Sequence, residues 1–184
     1  EVLQEPGVRT LIDVRRFPGS RRHPQFSRDT LSASLAAAGI EYVHEAALGG
    51  RREPRPDSPN TAWRVAAFRG YADYMEQAAF RAALARLLLR AAAAPTVILC
   101  AEAVPWRCHR RLIADAAVVQ GFEVIHLLAP GRAESHALNP LARCVPAGAA
   151  GWRLIYDGDA TAKAAPAPTL PFPTPAKAAT APDP

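Results

Sequence analysis

Four short β-forming runs set the plan of this chain: VRTLIDV at 8–14, EYVHE at 41–45, TVILCA at 96–101 and FEVIHLL at 122–128. Each stands far enough from the next for a crossover helix, which parallel strands need and hairpins do not. Such crossovers are right-handed in nearly all proteins. The expected fold class is therefore α/β with a mostly parallel sheet.

The intervening segments carry helix signals. Ser27 is placed to cap a helix over 28–38 that Gly39 closes. Two more helices are expected over 62–76 and 79–93. The second repeats Phe80, Leu84, Leu87, Leu88 and Ala91 at helical spacing before Pro95 ends it. A fourth is expected from Trp106 to Gln120, with Gly121 as its stop. Two loops separate these elements: RRFPGSRRHPQF at 15–26, and a long polar stretch at 46–60. Past Ala129 only Trp152–Tyr156 reads as a strand.

A chain of 184 residues supports one well-buried core. With aromatics at 7%, that core rests on Ala, Leu, Val and Ile. Residues 1–158 are expected to form a single domain. Residues 159–184, dominated by Ala, Pro and Thr, read as a disordered tail. No apolar run reaches the roughly 18 residues of a membrane span, and no basic-then-apolar leader is present. Three cysteines, Cys100, Cys108 and Cys144, make an odd count without a disulfide framework. A cytoplasmic, reducing location is expected.

Charge is concentrated near the start. Residues 9–28 hold six arginines against Asp13 alone, so this stretch carries the whole surplus of +5. A local arginine patch attracts phosphate or carboxylate groups through bidentate hydrogen bonds, whereas a solvated connection is the plainer explanation of such a loop. Within it, Arg15, Arg21 and Arg22 are candidate anion ligands, and Asp13 either positions the Arg15 guanidinium as a buried ion pair or pairs with it for structure alone. Arg51 and Arg52, after Gly49–Gly50, extend the positive surface. No Walker-type or dinucleotide glycine loop is present, so no cofactor is expected.

In an open parallel sheet, ligands bind beyond the carboxyl ends of the strands. Those ends carry Asp13 with Arg15, His44 with Glu45, Cys100 with Glu102, and His126. The densest group is CAEAVPWRCHR at 100–110 and its following Arg111. It is expected to run from a strand end through a turn into the first turn of a helix. There Cys108, His109 and Arg110 meet free backbone N–H groups, which lower a thiol's pKa and suit an anion. Cys108 is a nucleophile or a packed thiol. His109 orients a substrate or sits in the core. Glu102 is a general acid or base, or a helix cap. Cys100 is a second thiol or a small buried apolar group. The Cys-x7-Cys-His spacing matches no common zinc pattern, and no metal is assigned.

These pieces resemble a known family. LIDVRRFPGSRRHPQF, GIEYVHEAALGG, YADYM, CAEAVPWRCHRRLIAD and FEVIHL are similar, in this order over about residues 9–140, to the bacterial and archaeal domain of unknown function 488 (DUF488). The resemblance implies a Rossmann-like three-layer fold and brings no established activity. Family members usually begin with an extra strand ending in a Gly-His-Ser type motif. The chain is therefore expected to lack its first strand through N-terminal truncation.

Three functions fit these residues. The first is an enzyme acting on a phosphate-bearing small molecule, nucleotide or nucleic acid, with Arg15, Arg21 and Arg22 holding the anion, Glu102 as general acid or base, and Cys108 with His109 as nucleophile or orienting group beside Arg110. The second is a non-catalytic nucleic-acid-binding module using the arginine loop 15–22. The third is a metal or redox site at Cys100 and Cys108.

Overall fold

The computed structural model describes residues 2–4, 6–20, 22–147 and 151–158. The expected tail at 159–184 and Arg21 lie outside the described residues. Three of the four β-forming runs pair as parallel neighbours: β1 (Thr10–Asp13), β2 (Glu41–His44) and β3 (Thr96–Leu99), in the order β2-β1-β3. β1 takes the centre because all four of its residues are buried, as a strand covered on both faces requires.

Side chains alternate across the sheet and sort its two faces. Leu11 packs with Leu35 and Ile40 under α1 (Arg28–Ala37). Ile12 and Val14 face the opposite layer, built from α2 (Ala66–Tyr74), α3 (Ala78–Ala93) and α4 (Arg110–Val119). Helices thus cover both faces. Leu112 and Ile113 of α4 are 0% and 1% exposed. Each contributes about 1.5–3 kcal/mol of apolar burial, which fixes the start of that helix against the sheet.

The fourth run departs from expectation. FEVIHLL enters β4 (Ile125–Ala129), which pairs antiparallel with β5 (Arg132–Ser135) instead of extending the parallel sheet. The turn residue Gly131, at φ +66°, permits that reversal. β6 (Ala142–Pro146) and β7 (Trp152–Tyr156) form a second antiparallel pair. Among the described residues β3 consequently pairs on one side only.

Two helices begin later than their patterns suggest. The 62–76 segment becomes helical at Ala66 because residues 60–62 are tied to β7. The Tyr156 N–H donates to Asn60 Oδ1 (3.0 Å), and the Ala62 N–H donates to the Tyr156 carbonyl (2.8 Å). The helix expected from Trp106 opens at Arg110. Pro105–Arg107 form a separate 3-10 turn, and Cys108 is extended (φ −125°, ψ 145°). Ser27 stands at the start of α1 as expected, but its Oγ donates to Thr30 Oγ1 (2.9 Å) and accepts no backbone N–H. No helix among the described residues is long and apolar enough to cross a membrane.

Candidate active site

β3 ends at Leu99, so Cys100 is the first residue past the sheet. The chain then turns through 101–107 and returns at Cys108. The extended Cys108 followed by the helical His109 (φ −60°, ψ −17°) swings two adjacent side chains toward one point. His109 Nδ1 lies 3.8 Å from Cys108 Sγ and 3.9 Å from Cys100 Sγ. Cys108 is 1% exposed, Cys100 is half-buried, and all three cysteines are free.

The two thiols are electrostatically unlike. Cys100 donates its S–H to Cys108 Sγ, which pushes Cys108 down to about 6. Burial opposes that shift, and the backbone N–H and side chain of Arg110 reinforce it. Arg110 Nε stands 3.3 Å from Cys108 Sγ. Donating that hydrogen bond, with burial added, holds the proton on Cys100 and pushes it up to about 12. The result is a thiolate at Cys108 facing a thiol at Cys100 at neutral pH. Helix-start N–H groups lower Cys108 as expected, although it sits two residues ahead of α4 and not inside its first turn.

The turn is held by its own backbone. Arg110 Nη2 donates to the Glu102 carbonyl, and the Glu102 N–H donates to Cys100 Sγ. The Glu102 carboxylate is exposed, with no hydrogen-bond partner among the described residues.

The loop after β2 forms the other wall. A Cβ on Gly50 would come within 2.8 Å of His109 Nδ1, and one on Gly49 within 3.2 Å of Arg16. The glycine pair lets the backbone press between the imidazole and the β1 loop. Tyr71 of α2 packs on the His109 ring, centroids 4.9 Å apart, and donates from Oη to the Leu48 carbonyl (2.6 Å). His109 Nε2 is buried without a partner among the described residues. Arg51 adopts φ +61°, strained for a residue with a Cβ, and its carbonyl accepts from Arg16 Nη1 (3.3 Å). Arg52 stacks 3.5 Å over the Tyr74 ring.

Cys100, Cys108 and His109 also make a three-donor set, all ligand atoms within 4.8 Å of one another. Around a trigonal ion with ordinary metal–sulfur and metal–nitrogen lengths, N and S stand about 3.7 Å apart. The observed N···S separations lie close to that value, so this set fits a soft ion such as Zn(II) or Cu(I).

The Asp13–Arg15 pair lies elsewhere. Asp13 shares the α1 side of the sheet with Leu11 and Tyr42, whereas Cys100 packs on the opposite side. Arg15 Nε and Nη2 bind the Asp13 carboxylate at 2.8 and 2.5 Å, and Nη1 donates to the Phe26 carbonyl (2.8 Å). The Arg15 backbone N–H donates to the Asp13 carboxylate at 3.0 Å and Tyr42 Oη at 2.7 Å, four donors in all. Burial alone would raise the Asp13 carboxyl, but the Arg15 and Tyr42 hydrogen bonds hold it below its usual value. Arg15 is 8% exposed, so its guanidinium anchors the 15–26 loop and does not face the thiols. His44 Nε2 pairs with the Arg15 carbonyl (2.9 Å), also bracing that loop. Arg22 is exposed and makes no hydrogen bond or ion pair among the described residues; Arg21 lies outside them. His126 belongs to the β4–β5 hairpin and not to the edge of the parallel sheet.

Of the residues singled out in the sequence, Cys100, Cys108, His109 and Arg110 meet in one turn, and Glu102 joins them through its backbone alone. Sequence reasoning missed Tyr42, Tyr71 and the cradle formed by Gly50. The adjacent glycines were the available signal, since two in a row in a polar loop often mark close backbone approach.

Comparison with protein-family models matches residues 1–117 to the family described as domain of unknown function DUF488. No curated protein and no solved structure gave a match.

Proposed function

Since the chain belongs to the DUF488 family, whose description carries no activity, its function must be read from the site, and we propose a thiol-dependent enzyme acting on a small phosphate-bearing molecule. One observation carries this reading: the Arg110 guanidinium donates to the buried Cys108 Sγ at 3.3 Å, and the Cys100 thiol and Arg110 backbone N–H act with it to lower the Cys108 pKa. Together they stabilise a thiolate, the nucleophilic form. A packed structural cysteine needs none of them.

In the reaction, Cys108 Sγ attacks phosphorus. The S–P bond forms as the P–O bond to the leaving group breaks, and the leaving oxygen departs as an oxyanion that takes its proton from water. Water, deprotonated by Glu102, then cleaves the S–P bond to release phosphate and regenerate the thiolate. Arg16 and Arg51, beside the glycine pair that cradles His109, hold the substrate's charge. Because Cys108 is 1% exposed, substrate reaches it only when the turn around it opens, which favours a nucleotide or smaller ester over a nucleic-acid backbone. The three-layer arrangement, with the site at the carboxyl ends of β1 and β3, supports a Rossmann-like reading of the fold.

Incubation of the full chain with p-nitrophenyl phosphate, quenched and mapped by mass spectrometry, tests the reading. The expected result is p-nitrophenol release, abolished in Cys108→Ser, with phosphocysteine trapped at Cys108. Release that survives Cys108→Ser, or no release and no adduct, overturns it.

A further inference from the structure

A second ionisable cluster lies apart from the thiols. Asp115, wholly buried on α4, accepts three hydrogen bonds. Oδ1 takes them from His136 Nε2 (2.9 Å) and the Asn139 N–H (3.0 Å); Oδ2 takes one from Tyr156 Oη (2.9 Å). An ionised carboxylate only accepts, so His136 presents Nε2–H to it and, while neutral, keeps Nδ1 as an acceptor. That atom stands 2.9 Å from His126 Nε2. With His136 neutral, His126 Nε2 carries the proton and its lone pair is on Nδ1, which has no partner among the described residues.

His126 lines a cleft of about 170 Å³ between the unpaired edge of β3, α4 and the Phe122–Leu128 segment. Leu88, Ile98, Ile113 and Phe122 give it apolar walls. Its charged and titratable lining groups are Arg110, Glu123 and His126. Arg110 spends Nε on Cys108 and Nη2 on Glu102, which leaves Nη1 without a partner among the described residues. An apolar cavity of about 150 Å³ accommodates benzene, so this one suits a body of that size with a single charge.

We propose that this cleft binds a small organic anion with a benzene-sized apolar body, Arg110 holding its charge and His126 Nδ1 accepting a proton from it. In that transfer the ligand's X–H bond breaks and the Nδ1–H bond forms. The Nε2 proton passes to His136 Nδ1, placing the positive charge against Asp115. His126 is the reacting base; His136 and Asp115 are positioning residues. Burial, then the neighbouring His136 and Arg110, lower the His126 pKa, with Arg111 assisting and Glu134 opposing. The ring is thus neutral and able to accept at pH 7. The inference stands independently of the thiol reading, with which it shares only Arg110.

Acylation of the full chain by diethyl pyrocarbonate, mapped by peptide mass spectrometry at pH 7, tests it. His126 Nδ1 attacks the carbonyl, an N–C bond forms, ethyl carbonate leaves, and the Nε2 proton moves to His136. His126 is expected to react about tenfold faster than the exposed His23, the factor that about 1.4 kcal/mol of relay stabilisation supplies. Benzoate should protect it, whereas acetate and benzyl alcohol at the same concentration should not. Asp115→Asn should slow the reaction. Should that variant fail to fold, the benzoate comparison on the unmodified chain still decides. Reaction no faster than at His23, or protection by benzoate no better than by acetate, overturns the proposal. Alkylation of Cys108, read from the same peptides, reports the thiol site separately, so either site can fail alone.

Discussion

The behaviour of single side chains here turns on which of two neighbours holds a charge. Asp13 and Arg15 are adjacent to a catalytic-looking strand end, yet both are buried and bonded to each other. Breaking a buried pair from one side leaves an uncompensated charge, at a cost of about 3–5 kcal/mol. Asp13→Asn should therefore lower unfolding stability by about that amount at pH 7, measured by urea titration. The sign with pH follows from the lowered Asp13 pKa. Its stabilisation is fully present above the ordinary carboxyl value of 3.8 and is lost as pH falls through the folded-state value. The gap between wild type and variant should close in acid. A gap below about 1 kcal/mol at pH 7 would mean that the pair is exposed in solution.

At the scale of elements, the loop between β2 and α2 matters as much as the helices. Gly70 of α2 sits against the 52–53 backbone, where an added Cβ would come within 2.3 Å of the Arg52 carbonyl oxygen. Backbone cannot yield as a flexible side chain does. Gly70→Ala should destabilise by about 1–3 kcal/mol despite alanine's better helix propensity. It should also shift the loop that cradles His109, detectable as a changed Cys108 alkylation rate. An unchanged melting temperature and rate would show that the loop is not seated on α2. Asp73 reinforces that seat: it accepts from the Arg55 N–H (2.8 Å), Ser58 Oγ (2.6 Å) and Asn60 Nδ2 (2.8 Å). A stretch that composition marks as a polar loop is thus an ordered wall. Its order comes from a buried aspartate more than ten residues away, which no local pattern reveals.

Over the whole molecule, periodicity made the sheet legible and tertiary competition made the rest obscure. VRTLIDV, EYVHE and TVILCA carry a β signal that parallel pairing satisfies. FEVIHLL carries the same signal, yet Gly131 offers a nearer partner, and a hairpin forms after a much shorter chain reversal. Alternation in β1 decides the site: Asp13 points toward α1, and Ile12 and Val14 toward α4. Residues two apart share a face and neighbours do not, so Arg15 and the thiols are separated by the sheet that carries them. The cysteine turn was legible because its donors lie within one short segment. The Asp115–His136–His126 relay was not, because its members come from α4, β4 and the chain after β5.

The proposed chemistry requires an ionised Cys108 in the folded chain. Alkylation by iodoacetamide, followed for each cysteine by peptide mass spectrometry across pH 4–10, measures that state directly. The normalised rate at Cys108 is predicted to reach half its maximum near pH 6, while Cys100 stays unreactive to the top of the range and Cys144, which burial pushes up, titrates above its ordinary value of 9.0. A Cys108 midpoint at or above 9.0 would contradict the thiolate and the proposed chemistry with it.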